Sequence, residues 1–283
     1  MRRELHNLLA LKHPNIVAFY GAEATPGNTH LALLTEAVLG PGDVPWCLST
    51  CLSAQQGGIM PEALARQTFV QLAAGLSYAH NLGVVHRDLT LDNVMVAQAA
   101  DGRFIVKLVD FGSSKNVFSS LPSSGRRTDA AFAAPEVLIS EHNASRGLPF
   151  ERVNPLPADC WALGVLLLCS LMGVAQLRSA VQAANIVDIV ALALAGNLVP
   201  FLRRTVLGLH GVSPDAQDAL LSLLNENPAS RLTAAQLQAH VWLAPEAYVP
   251  PLMALPCITQ TQEHLVELVN AVSLAGGGEP LMV

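Results

Sequence analysis

Charge is scarce in this sequence. Of its 283 residues, 13% are Asp, Glu, Lys or Arg, and the net charge is −6. Basic residues come singly or as scattered pairs, Arg2-Arg3, Arg126-Arg127 and Arg203-Arg204, and nowhere as a longer run. That excludes a nucleic-acid footprint and a polybasic membrane patch. Cysteine is equally thin. The five, at 47, 51, 160, 169 and 257, lack the paired spacing of a zinc site and read as free thiols of a reducing compartment. No signal-peptide pattern is visible at the N-terminus. The sequence therefore predicts a cytoplasmic or nuclear protein whose Asn143-Ala144-Ser145 sequon is idle. The most apolar run, Trp161 to Ala175, is too short to span a bilayer and follows Asp159, so a buried core helix is expected there. There is no internal repeat.

What is abundant is apolar: 51% of the chain, ample for one large domain or two small ones. Leu5, Leu8, Leu9 and Leu11 fall on one side of a helix over residues 2–12, which His13-Pro14 ends. Ile16 to Phe19 and Leu31 to Thr35 read as strands around a turn at Thr25 to Asn28, and Glu36 to Gly42 as a loop. Pro61 opens a long helix with Leu64, Phe69, Leu72, Leu76 and Ala79 on its buried stripe, and Gly83 stops it. Val94 to Val96 and Phe104 to Leu108 read as a hairpin around Asp101-Gly102. A Ser- and Gly-rich surface loop over 111–132, an irregular insertion over 141–157 and otherwise helices follow.

Three motifs stand in a telling order. His86-Arg87-Asp88-Leu89-Thr90-Leu91-Asp92-Asn93 places an acid and an amide five residues apart. Asp110-Phe111-Gly112 begins seventeen residues after Asn93, and Ala134-Pro135-Glu136 follows further on. This order and spacing resemble the protein-kinase signature set. Glu4, ten residues before Pro14, resembles the αC glutamate; Asp159 to Gly164 resembles the D-x-W-x-x-G start of the αF helix; Asn227 to Thr233 with His240-Val241-Trp242 resembles the closing block of the fold. Residues 4–243 thus look like a eukaryotic protein kinase of the serine/threonine type, most similar to plant and algal sucrose-nonfermenting-related stress kinases.

The resemblance implies an α+β, bilobal kinase-like fold: a remnant N-lobe over 1–36, a mostly helical C-lobe over 37–245, and a tail over 246–283 with an amphipathic helix from Thr259 to Leu274. It implies ATP and Mg²⁺ as cofactors and a protein as substrate. Phosphoryl transfer needs an oriented hydroxyl, a metal-held triphosphate and screened charge. Asp88 would orient the substrate hydroxyl, and Asn93 and Asp110 would offer Mg²⁺ hard oxygen ligands. Glu36, Ala37 and Val38 would form the adenine hinge, Thr35 the gatekeeper and Met95 the floor under the ring. His86 and Phe111 would stack with Leu8 and Phe19. Arg87 would meet a phosphate placed by an upstream kinase on Ser123, Ser124 or Thr128. Glu136 and Arg231 would pair in the core, and Asp159 would anchor the catalytic loop from beneath.

Three departures weaken the resemblance. Met1 falls within the αC region, so the sequence lacks a Gly-rich phosphate loop and the strand lysine that would pair with Glu4. Thr90 stands where serine/threonine kinases carry a lysine. Asp129 stands where a threonine would support Asp88, and an acid there repels it. The sequence therefore predicts a serine/threonine kinase impaired in transfer, or alternatively a pseudokinase that serves as a protein-interaction module.

Overall fold

A computed structural model describes residues 2–24, 31–98, 103–116, 130–149, 153–183 and 189–244. Helix α1 (Arg2–Ala10) buries Leu5 and Leu8, with Leu11 just beyond it, and ends short of Pro14 as the sequence predicts. Strand β1 (Phe19–Ala24) pairs antiparallel with β2 (Leu31–Thr35), Phe19 opposite Thr35. The strand expected from Ile16 thus begins later. Asn15 is the reason. Its fully buried side chain donates to the Val106 carbonyl (2.8 Å) and to Gln71 Oε1 (2.9 Å), and its own carbonyl takes the Leu108 N–H (2.9 Å). Ile16 is thereby drawn against Leu108 rather than into β1.

After the loop from Glu36 comes α2 (Leu48–Ser53), a short helix that the sequence pattern did not suggest, and one 3-10 turn at Gln56–Gly58. Helix α3 (Glu62–Asn81) follows Pro61 and stops at Gly83, whose φ of +71° lies in the left-handed region that glycine adopts without strain. Its stripe of Phe69, Leu72, Leu76 and Ala79 is buried. Strand β3 (Val84–Val85) leads into the first motif. Strands β4 (Val94–Gln98) and β5 (Phe104–Leu108) form the expected antiparallel hairpin, Val94 opposite Leu108. The expected surface loop starts as structure: a 3-10 turn at Phe111–Ser113, then β6 (Lys115–Asn116) antiparallel to β3. Its remainder, 117–129, lies outside the described residues.

The rest is helical: α4 (Pro135–Ser145), α5 (Pro155–Met172), α6 (Val174–Ala183), α7 (Ile189–Leu194), α8 (Leu198–Leu207), α9 (Pro214–Leu223) and α10 (Ala234–Gln238). The expected irregular insertion is shorter than its sequence suggests, because α4 runs on to Ser145 and α5 starts at Pro155. Helix α5 is 18 residues long and apolar enough to cross a membrane by length and composition. It is nonetheless 72% buried, packed among α3, α6 and α9, as a core helix is. Gly164 lets α9 approach: a Cβ there would lie 2.9 Å from Leu223 Cβ. Cys160 and Cys169 on this helix have their thiol pKa pushed up to about 12 and about 11, in both cases by burial first. The four described cysteines are free thiols. The expected tail helix from Thr259 lies outside the described residues.

Candidate active site

The loop after β3 is gripped from beneath by one side chain. Asp159, 2% exposed near the start of α5, accepts the backbone N–H of His86 at Oδ2 (2.7 Å) and that of Arg87 at Oδ1 (2.8 Å). His80, at the end of α3, also bonds Oδ2 (3.0 Å). Burial alone would raise the pKa of Asp159, but the bond and charge of His80, then His86 and the Arg87 N–H, outweigh it and hold the carboxyl below its ordinary value. This grip holds Arg87 at φ +69°, a region unfavourable for an arginine. The strain sits one residue before Asp88, where a sharp turn presents the acid.

Asn93 ties the motifs together. Its Nδ2 donates to the Asp88 carbonyl (2.8 Å) and reaches the Asp88 carboxylate (3.4 Å). Its own carbonyl accepts the N–H of Val109 (3.1 Å), the residue before Asp110. His86 Nε2 bonds the Val109 carbonyl at 2.9 Å, and the His86 and Phe111 rings lie 4.7 Å apart. Asp88, Asn93 and Asp110 are therefore joined through two residues, Asn93 and Val109. Thr90 closes this loop: its hydroxyl (3.3 Å) and carbonyl (3.2 Å) both accept the Asn93 N–H. The side chain that departs from the resemblance thus serves as a turn cap.

Asp110 is exposed and left-handed, φ +57°, a conformation aspartate tolerates because its carboxylate bonds locally. Oδ1 accepts the Gly112 N–H at 3.0 Å. Among the described residues no three His, Cys, Asp or Glu side chains converge as a metal cage. The donor set here is one carboxylate and one amide. Because Asn93 directs its Nδ2 at Asp88, its amide oxygen is the end available to a cation. Such a set suits Mg²⁺, which keeps several waters and takes the rest of its oxygens from phosphate.

At the hinge the Glu36 N–H donates to the Ala18 carbonyl (2.9 Å), and the Glu36 carboxylate forms an ion pair with Lys107 of β5. The Glu36 N–H is thus part of the β-structure, and its side chain is turned to β5. Val38 is buried and Thr35 exposed. Met95, half-buried, bridges to Cys47 across from β5. In the helical half, Arg231 has a fully buried side chain and a two-point bond to Glu136, Nη1–Oε1 2.7 Å and Nη2–Oε2 3.0 Å. It also donates to the carbonyls of Pro157 (2.9 Å) and Asn225 (3.0 Å), and lies 5.2 Å from the Trp161 ring centroid.

Ser123, Ser124, Thr128 and Asp129 lie outside the described residues. Sequence reasoning missed His80, Lys107, Asn7 and Ser114. Each acts through a partner at least 71 positions away, as with Lys107 and Glu36 or His80 and Asp159, so no local spacing signals it.

This loop, turn and buried ion pair bring together the motifs whose order resembles the protein-kinase set. The protein kinase domain matches residues 1–243, and the chain belongs to that family. Within it, the relatives are serine/threonine kinases. Serine/threonine-protein kinase SAPK9 of Oryza sativa subsp. japonica is 32% identical over 253 residues, 86% of this chain and 60% of the relative. Serine/threonine-protein kinase SRK2C of Arabidopsis thaliana is 31% identical over 98% of this chain and 77% of its own. Testis-specific serine/threonine-protein kinase 5 of Mus musculus is 28% identical over 87% of this chain and 59% of its own. The chain thus spans about three-fifths of the length of the first of these relatives. These relatives are serine/threonine kinases, and the family to which the chain belongs is one that generally uses ATP and Mg²⁺.

Proposed function

We propose that this chain carries the catalytic loop and peptide-docking half of an ATP-dependent kinase that phosphorylates Ser or Thr hydroxyls of proteins, and that the chain by itself transfers phosphate slowly. The observation that carries this reading is the Asn93 bridge, which joins the Asp88 loop to the residue before Asp110. Bound Mg·ATP supplies the phosphoryl group and the positive charge that screens it. Asp88 accepts the proton of the substrate hydroxyl as that oxygen becomes a nucleophile. Asn93 and Asp110 would hold the metal, and main-chain groups of Glu36 and Val38 would receive the adenine, with Met95 as the floor under the ring. A phosphate placed on Ser123, Ser124 or Thr128 by an upstream kinase would pair with Arg87. The free thiols fit a reducing compartment, cytoplasm or nucleus.

A specific observation favours a second reading, a pseudokinase that binds partners. Thr90 spends its hydroxyl on the loop, at the position where a lysine would stabilise the moving phosphate. Loss of one such group costs about 10²–10³ in rate. Thermal denaturation with and without Mg·ATP separates the readings. A rise in Tm that Asp110→Ala abolishes supports the kinase, and no rise supports the binding module. In a form that carries a phosphate loop, Thr90→Lys with Asp129→Thr is expected to raise turnover. Unchanged turnover there counts against Thr90 as the cause of slow transfer.

A further inference from the structure

We propose that Asn7 is a positioning residue for the Asp110 carboxylate, acting through Ser114; the link to metal binding rests on the function proposed above. Asn7 lies on α1 with 0% exposure, beside Leu5 and Leu8. An amide buried in an apolar helix face is costly unless it is bonded. Asn7 is bonded at one end only. Its Nδ2 donates to Ser114 Oγ at 2.7 Å, while Oδ1 is buried without a partner. A leucine would fill this place without stranding an oxygen. Burial therefore gives no reason for an amide here, but its single partner does.

Ser114, 1% exposed, passes the bond on. Its Oγ donates to the Phe111 carbonyl, and so does its own N–H, at 3.0 Å. The hydroxyl proton is thus fixed on Phe111, and a lone pair of the same oxygen receives Asn7. At the front of the same turn, Asp110 Oδ1 accepts the Gly112 N–H. Asp110 is left-handed and exposed, so the order of its carboxylate depends on the turn behind it. The relay Asn7 to Ser114 to Phe111 grips that turn from the rear and couples it to α1.

The test uses Asn7→Leu and Ser114→Ala in the full chain, read by Tm, by amide hydrogen exchange at Gly112 and Ser114, and by Mg²⁺-dependent ADP binding. For Asn7→Leu the expected result is a Tm at or above that of the parent, with exchange at these two amides faster by roughly five- to thirty-fold, the factor that loss of one or two modest contacts produces. The Mg²⁺ concentration needed for ADP binding rises in parallel. Adding Asn7→Leu to Ser114→Ala changes neither further. Unchanged exchange at Gly112 and Ser114 overturns the proposal, as does faster exchange spread over the whole molecule with a lowered Tm. If the parent binds no Mg·ADP, the nucleotide reading falls, while the exchange data still decide the role of Asn7.

Discussion

Asp159 and Arg231 are both charged and both buried, and each is stabilised by bonds that no neighbour in sequence supplies. Glu136→Ala leaves the guanidinium of Arg231 with two carbonyls and no counter-charge. The expected loss is about 3–5 kcal/mol, measured as a lower urea midpoint with an unchanged slope. His13 sets a different dependence. Its pKa is lowered from 6.5 to about 4, by burial first and by Lys107 second. Its Nδ1 accepts the Asn15 N–H at 3.1 Å, a bond that requires an unprotonated nitrogen. The unfolded chain takes up this proton near pH 6.5 and the folded chain only near pH 4. Stability is therefore full above the upper value, falls as pH drops through this window, and levels below it. His13→Gln is expected to flatten that part of a plot of Tm against pH, and an unchanged curve would assign the loss elsewhere. Glu62 adds to the acid side. Burial opposes its ionisation, but bonds from Ser213 and Trp242 and the charge of Arg66 hold its pKa below the ordinary value, so its contribution is lost at still lower pH.

Helix α5 shows what was readable and what was not. Its D-x-W-x-x-G pattern marked the clamp, Asp159, whereas the close packing of Gly164 on α9 showed only in the structure. Gly164→Ala pushes a methyl against Leu223 and Leu224, and a loss of about 1–3 kcal/mol is expected from thermal or urea denaturation. An equally stable variant would mean that α9 moves aside freely. Long periodic stretches such as α3 were legible because one buried stripe dictates them. Elements shorter than two turns were not. The pattern gave no hint of α2, and the strand expected from Ile16 was displaced because Asn15 bonds to β5. At the site, Asp88, Asn93 and Asp110 were singled out by the order of their motifs, and the structure joins the loops that carry them through Asn93 and Val109. Their supports, His80 on Asp159, Lys107 on Glu36 and Asn7 on Ser114, arise only when distant segments meet.

One hydrophobic cluster runs from Leu5 on α1 to Leu243 beyond α10, and it includes the fully buried Trp161 and Trp242. Such continuity predicts one cooperative transition: tryptophan fluorescence and far-UV circular dichroism are expected to share a midpoint on urea unfolding. Separate midpoints would show that the part around β1 and β2 melts alone. The clamp on the catalytic loop has a further consequence in time. His86 and Arg87 are held by a carboxylate 73 and 72 positions later in the chain. At about 5–20 residues per second on the ribosome, that is several seconds in which the loop has been made and its anchor has not. In the growing polypeptide the loop therefore stays unanchored until its central helix has been synthesised and docked.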